Sequence, residues 1–241
     1  MDISEFRKKH EELVKKIMEL KGKNCTPIPD GVIDIESYFN SETKILWINK
    51  EINSLNDDHN WSLIDVLFNL KKTYEESSGW SKTFDLIIYT LYGIFNKTNW
   101  ENTPNIKDNP QILEIIRNIA YINAKKLPGG PVANHKEVTK YSNENDIVKN
   151  QIKLFNPDVI ICGGTFDIMD TIFEEIYGDS YDKMEQIPNT PKNRIYYNDK
   201  LIIFEAYYPA YRKGKVNLNK SDYCDSISQN VILWNNEKRL K

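Results

Sequence analysis

Lys44-Ile45-Leu46-Trp47-Ile48-Asn49-Lys50-Glu51-Ile52-Asn53 is the stretch whose reading decides the fold. Ile45 to Ile48 form a short, unbroken apolar run rich in β-branched and aromatic residues, which suits a strand buried on both faces. The run then breaks at once into Asn49, Lys50, Glu51 and Asn53. In an open α/β sheet, ligands bind in the crevice beyond the carboxyl ends of the strands. A carboxylate, an ammonium and amides placed there by a rigid strand make a candidate reaction site. A core strand followed by an ordinary polar loop is the plainer reading of the same residues.

Three more segments repeat the pattern further along the chain. Residues 118–123 (Asn-Ile-Ala-Tyr-Ile-Asn) read as a second strand that runs into Asn123-Ala124-Lys125-Lys126. Residues 158–164 (Asp-Val-Ile-Ile-Cys-Gly-Gly) read as a third, whose glycines permit a tight turn into a helix. Residues 201–204 read as a fourth, reached through a hairpin of 194–197 with 200–206 about Asn198-Asp199. Between them lie helical patterns at 3–21 (Ile3, Phe6, Leu13, Ile17, Leu20), 61–74, 80–96, 110–117, 146–155, 165–177 and 221–235. Residues 24–40 read as a connector, 97–110 and 178–194 as loops, and 132–143 as irregular. Strands each reached through helical sequence predict one α/β domain over 1–241. Its expected architecture is a three-layer α/β/α fold on a four-stranded, mainly parallel sheet. The helix and connector of 1–40 are expected to pack on it.

Bulk properties narrow the class of function. The chain has 241 residues, 40% of them hydrophobic and 28% charged, which fits a globular protein with a sizeable core. A formal net charge of -3 argues against a protein that coats nucleic acid but leaves room for a local basic groove. Such a groove has a candidate. Residues 166–186 carry seven acids and one base, whereas 190–220 carry seven bases and two acids. A solvated lysine-rich loop is the plainer account of the second segment. Cys25, Cys162 and Cys224 have no paired spacing, which points to a reduced, cytoplasmic protein without disulfides or a zinc site. Residues 1–24 alternate charged and apolar side chains, and no run reaches membrane-spanning length, so neither a leader nor a membrane partner is expected. Gly163-Gly164 before a helix lacks the Gly-x-Gly-x-x-Gly spacing, so no dinucleotide is expected. No two of His10, His59 and His135 are close enough in sequence for a metal pair, and no metal or other cofactor is expected. The expected state is a monomer.

Taken in order, the four strand ends give a sequence that resembles the uracil-DNA glycosylase superfamily over roughly residues 42–220. The family's first strand runs into a Gly-Gln-Asp-Pro or Gly-Glu-Ala-Pro loop, where this chain has Asn49-Lys50-Glu51-Ile52. Its next strand ends in an Asn that reads the flipped base, matched by Ile122-Asn123. A Pro-acid-aliphatic strand ending in Gly follows, matched by Pro157 to Gly163, and the family's final His-Pro-Ser loop is matched by Tyr208-Pro209-Ala210. The departures are Asn49 for the loop glycine, Ile52 for its proline, Glu51 where efficient members place an Asp, and Tyr208 for the histidine.

The resemblance implies a hydrolase that cleaves the N-glycosidic bond of uracil or a related damaged base flipped from DNA. Glu51 would serve the sugar cation and the attacking water, and Tyr208 the departing base. Asn49, Lys50, Asn53 and Asn123 would contact the base, with Tyr211, Arg212, Lys213 and Lys215 on the DNA. Damaged or single-stranded DNA is the implied partner, and a free base or nucleotide an alternative ligand. Each residue has a plainer role. Glu51 could simply pair with Lys50 or Lys125, Asn123 could cap a strand end, and Tyr211 could be a packing residue. Trp61 and Trp80 suit the core, and His59 a solvated loop. Two other functions stay open: a catalytically inactive member of the fold that binds nucleic acid or a partner, and a nucleoside- or nucleotide-processing hydrolase.

Overall fold

The structure, a computed structural model, describes residues 1–22, 25–54, 61–189, 193–210 and 218–240. The chain opens with helix α1 (Ile3–Met18), the two-residue strand β1 (Gly31–Val32) and the short helix α2 (Ile35–Phe39), then enters strand β2 (Ile45–Asn49). Helices α3 (Leu63–Phe68), α4 (Leu70–Glu76) and α5 (Ser81–Asn96) follow, and a 3-10 segment, Pro110–Asn118, leads into β3 (Ile119–Asn123). Next come α6 (His135–Glu144), α7 (Ile147–Phe155), β4 (Val159–Gly163), α8 (Phe166–Tyr177) and α9 (Asp179–Asp182). A hairpin of β5 (Glu185–Asn189) and β6 (Asn193–Tyr197), then β7 (Ile202–Ala206) and α10 (Lys220–Leu240), complete the described chain.

The protein is α/β, and the four apolar runs of the sequence are its central strands. They lie in the order β3-β2-β4-β7, all parallel, with Trp47 opposite Tyr121 and Ile161, and Asn49 opposite Asn123. The expectation of four strands needs correction, because among the described residues the sheet has seven. β1 adds antiparallel to β3, and β6 and β5 add antiparallel beyond β7. β6 is the first strand of the hairpin read from sequence at 194–197, whereas β1 and β5 lack the signal that marks the others. β1 lies in the Pro- and Gly-rich connector, and β5 reads Glu-Gln-Ile-Pro-Asn. A proline is tolerated there because β5 is an edge strand. Likewise α6 forms in a stretch that reads as irregular. Asn134 caps it by accepting from the Glu137 N–H at 3.4 Å, and it buries Val138.

Because every central strand is buried on both faces, its alternating side chains feed two cores. Ile45, Trp47, Ile119, Tyr121, Ile161 and Phe204 face α5, α10, the 3-10 segment and the α3–α4 pair. Leu46, Ile48, Ile122, Ile160 and Ile203 face α1, α7 and α8. Helices therefore cover both sides of the sheet. No helix among the described residues is long and apolar enough to cross a membrane.

Helix α1 is fastened to the sheet edge by one polar contact among apolar ones. Phe6, Leu13 and Ile17 are buried, and the Nε2 of His10 accepts from the Val32 N–H at 3.0 Å. A protonated imidazole has no acceptor nitrogen, so this bond requires neutral His10. Burial, aided by the Arg7 charge, lowers its pKa from 6.5 to about 4. Between those values the unfolded chain binds the proton that the folded one refuses. The contribution is therefore complete above pH 6.5 and is lost as pH falls towards 4. Urea unfolding across that window should show a loss of about 3 kcal/mol, and His10→Gln should flatten it. An unchanged slope in His10→Gln would remove His10 as its source.

Candidate functional site

β2 and β3 stay laced together after they leave the sheet. The Ala124 N–H donates to the Asn49 carbonyl at 2.7 Å, Lys125 N–H to Lys50 at 2.9 Å and Gly129 N–H to Ile52 at 2.8 Å. Asn53 and Gly129 add an isolated parallel bridge. The polar run after β2 is thus half of a rigid wall. The connections also reverse direction here, since β3 lies on one side of β2 and β4 and β7 on the other. A reversal of this kind opens a crevice at the carboxyl ends. A cleft of about 700 Å³ lies there, bounded by the strand ends and the start of α5.

Asn49, Glu51 and Asn53 from one segment, and Asn123 and Tyr208 from far along the chain, all line this cleft. Lys50 is half-buried and is not in its wall. Tyr211, Arg212, Lys213 and Lys215 lie outside the described residues, as does His59.

Asn123 is the most informative of these. Its backbone is pinned from two directions: its N–H donates to Asp30 Oδ2 at 2.8 Å, and its carbonyl accepts from Lys126 Nζ at 2.7 Å. Its side chain points to the cleft face of the strand and is only 2% exposed with its residue, yet the carboxamide has no hydrogen-bond partner among the described residues. A buried amide is ordinarily satisfied, so this one is left open towards the cavity.

Glu51 has a partner. Its Oε2 meets Lys125 Nζ at 2.5 Å, with the Glu51 side chain 3% exposed and that of Lys125 14%. Oε1 has no partner among the described residues. Of the two lysines that the sequence offers as partners, the cross-strand lacing presents Lys125. Gly129 belongs to the same arrangement, because a Cβ there would collide with the Glu51 carboxylate. Tyr208 lies on the rim, 36% exposed, with its hydroxyl 3.4 Å from Thr83 Oγ1. The adjacent Tyr207 packs against the core and accepts at its carbonyl from the Tyr223 hydroxyl.

Asn49 is bonded inside the sheet through both atoms of its carboxamide. Its Nδ2 donates to the Tyr121 hydroxyl at 2.6 Å, and its Oδ1 accepts from Trp47 Nε1 at 3.3 Å. Gly163 on β4 makes room for it, since a Cβ there would strike Asn49 Oδ1. Aromatic rings complete the wall. Trp61 meets Trp80 edge-on at 6.2 Å, Trp80 lies 5.6 Å from Phe84, and Phe84 5.4 Å from Tyr121. Both tryptophans are half-buried, so they pack on the core and face the cleft at once. Tyr121 was not singled out in the sequence, although it sits two residues before Asn123 and must share its face. A second cavity, of about 720 Å³, lies under α1, with Trp61 in the wall common to both. Its one buried polar lining group, His10, is committed to Val32.

No protein-family model matches the chain, and no curated protein matches it.

The pins on Asn123 depend on a pair with no solvent contact. Lys126 Nζ lies 2.7 Å from Asp30 Oδ1, both side chains 0% exposed, and Gln151 Nε2 donates to the same carboxylate oxygen at 3.0 Å. Burial pulls the Lys126 pKa down and Asp30 opposes it. Lys126→Met should cost about 3–5 kcal/mol, because it strands a buried carboxylate. Asn123→Ala, which removes no internal hydrogen bond, should cost less than about 1 kcal/mol. Urea unfolding of both variants checks this contrast, and equal losses would contradict it.

Proposed function

We propose that the chain is a DNA glycosylase-like hydrolase of the uracil-DNA glycosylase kind, acting on a deaminated or otherwise damaged base turned out of DNA. The observation that carries this reading is the open carboxamide of Asn123 in the same cleft as the Glu51 carboxylate. Both stand at the carboxyl ends of parallel strands, where the sequence resemblance puts a base-reading amide and a water-handling acid. The cleft volume suits a small planar ligand. Its aromatic wall offers the faces on which a base stacks.

Hydrolysis of an N-glycosidic bond forms a bond from the water oxygen to C1′ and breaks the C1′–N bond. The electron pair leaves with the base, and the water's proton is passed on, finally to the base. The developing sugar cation needs a negative group beside it, and the departing base needs donors. Glu51 answers the first need. Lys125 anchors its Oε2 and leaves Oε1 for the water or the sugar. Asn123 and the hydroxyl-bearing side chains answer the second. From the sequence, Tyr211 and Arg212 are assigned to wedging or clamping the opened duplex and Lys213 and Lys215 to phosphates.

One observation favours the second reading, a non-catalytic nucleic-acid binder on the same fold. Glu51 is almost wholly enclosed and neutralised by Lys125, as a structural ion pair would be. Base release separates the two. Wild type should free the base from uracil-, hypoxanthine- or xanthine-containing oligonucleotides, and Glu51→Gln should slow release by about 10²-fold or more. Salt-dependent binding that is lost on neutralising Arg212, Lys213 and Lys215, without release from any single- or double-stranded substrate, would support the binder instead.

A further inference from the structure

We infer that the Tyr121 hydroxyl is the donor that meets an exocyclic oxygen of the ligand, so that the cleft selects oxo-bearing over amino-bearing heterocycles. The inference rests on the reading that the cleft takes a base, and it adds a residue that the sequence resemblance does not point to.

The direction of a buried hydrogen-bond chain carries it. The indole nitrogen of Trp47 can only donate, so the atom of Asn49 facing it must be the carbonyl Oδ1. That fixes the carboxamide and turns its Nδ2 hydrogens to the Tyr121 oxygen, 2.6 Å away. The phenol oxygen is therefore an acceptor within the protein, and its own hydrogen remains to be given. No described residue accepts it. Trp47, Asn49 and Tyr121 are 0%, 1% and 4% exposed, and Tyr121 lines the cleft. Burial, with Tyr208 nearby, raises the Tyr121 pKa well above 10, so the hydroxyl stays a donor. The chain thus runs from Trp47 through Asn49 to Tyr121 and ends on an unspent O–H inside the cavity.

Registry makes this a built feature of the sheet. Trp47 pairs with Tyr121 across β2 and β3, Asn49 with Asn123, and all four share one face. Tyr121 and Asn123 therefore stand side by side. An oxo group beside a ring N–H, as in uracil or hypoxanthine, offers Tyr121 an acceptor and Asn123 its complement. An amino group in the same place, as in cytosine or adenine, would set donor against donor and leave the buried hydroxyl unpaired. Trp47 and Asn49 act as positioning residues for the Tyr121 hydroxyl: Trp47 is outside the cleft wall, and Asn49, which does line it, has its Oδ1 committed to Trp47 and its Nδ2 bonded to Tyr121.

Two matched pairs of free bases test this by calorimetry: uracil with cytosine, and hypoxanthine with adenine. Wild type should prefer the oxo member of at least one pair by about tenfold or more. Tyr121→Phe should weaken the oxo member by about tenfold and leave the amino member no weaker, so that the preference collapses. Should Tyr121→Phe fail to fold, Asn49→Ala keeps the phenol but frees its hydrogen to turn, and should lower the same preference by about threefold. An unaltered ratio in the folded variant, or no oxo preference in wild type, overturns the inference. Base release by wild type, assayed alongside, reports separately on the hydrolase reading, so the two can fail independently.

Discussion

A lysine and an aspartate with no solvent exposure, 2.7 Å apart, govern how the end of β3 is presented. Burying two charges is costly, and a buried pair is tolerated only where its remaining hydrogen-bonding capacity is met. Here it is met mostly by backbone. Asp30 accepts from Lys126, from Gln151 and from the Asn123 N–H, and Lys126 also donates to the Asn123 carbonyl. The connector after α1, the turn after β3 and helix α7 are thereby joined at one point. An apolar substitute could fill the volume but could not bond both backbone groups of Asn123. The pair is best understood as fixing a direction, that of one carboxamide into the cleft.

The rest of the site follows the same division between satisfied frame and open groups. Backbone bonds carry the β2–β3 pairing past the strands, and Lys125 anchors Glu51 through one oxygen. Trp47 and Asn49 settle the orientation of Tyr121. Left over are Glu51 Oε1, the Asn123 carboxamide and the Tyr121 hydrogen, all in one cavity. Groups held this way need little rearrangement to meet a ligand, which is how an electrostatic site gains its effect.

Much of this was legible in the sequence, for identifiable reasons. The four central strands are continuous apolar runs, as burial on both faces demands, and their polar ends marked Asn49, Glu51, Asn123 and Tyr208. β1, β5 and α6 were not legible, because a two-residue strand, a polar edge strand and a mostly exposed helix carry little periodicity. The Asp30–Lys126 pair joins residues 96 apart in sequence, and nothing local announces it. Glu51 could be matched to Lys50 or Lys125 until the register of β2 on β3 chose. Tyr121 looked like strand interior. Its role depends on Trp47 and Asn49 on the next strand, and on a glycine, Gly163, on the one beyond.

The most direct test of the central claim, that the cleft reads a base through an amide kept free for it, is to follow the Asn side-chain ¹⁵N–H₂ resonances by NMR during titration with free uracil, hypoxanthine and xanthine. The Asn123 pair should shift to saturation with at least one of these bases, whereas the Asn49 pair, already bonded to Tyr121, should shift far less. An Asn123 resonance unmoved by every base, or movement confined to asparagines outside the cleft, would contradict it.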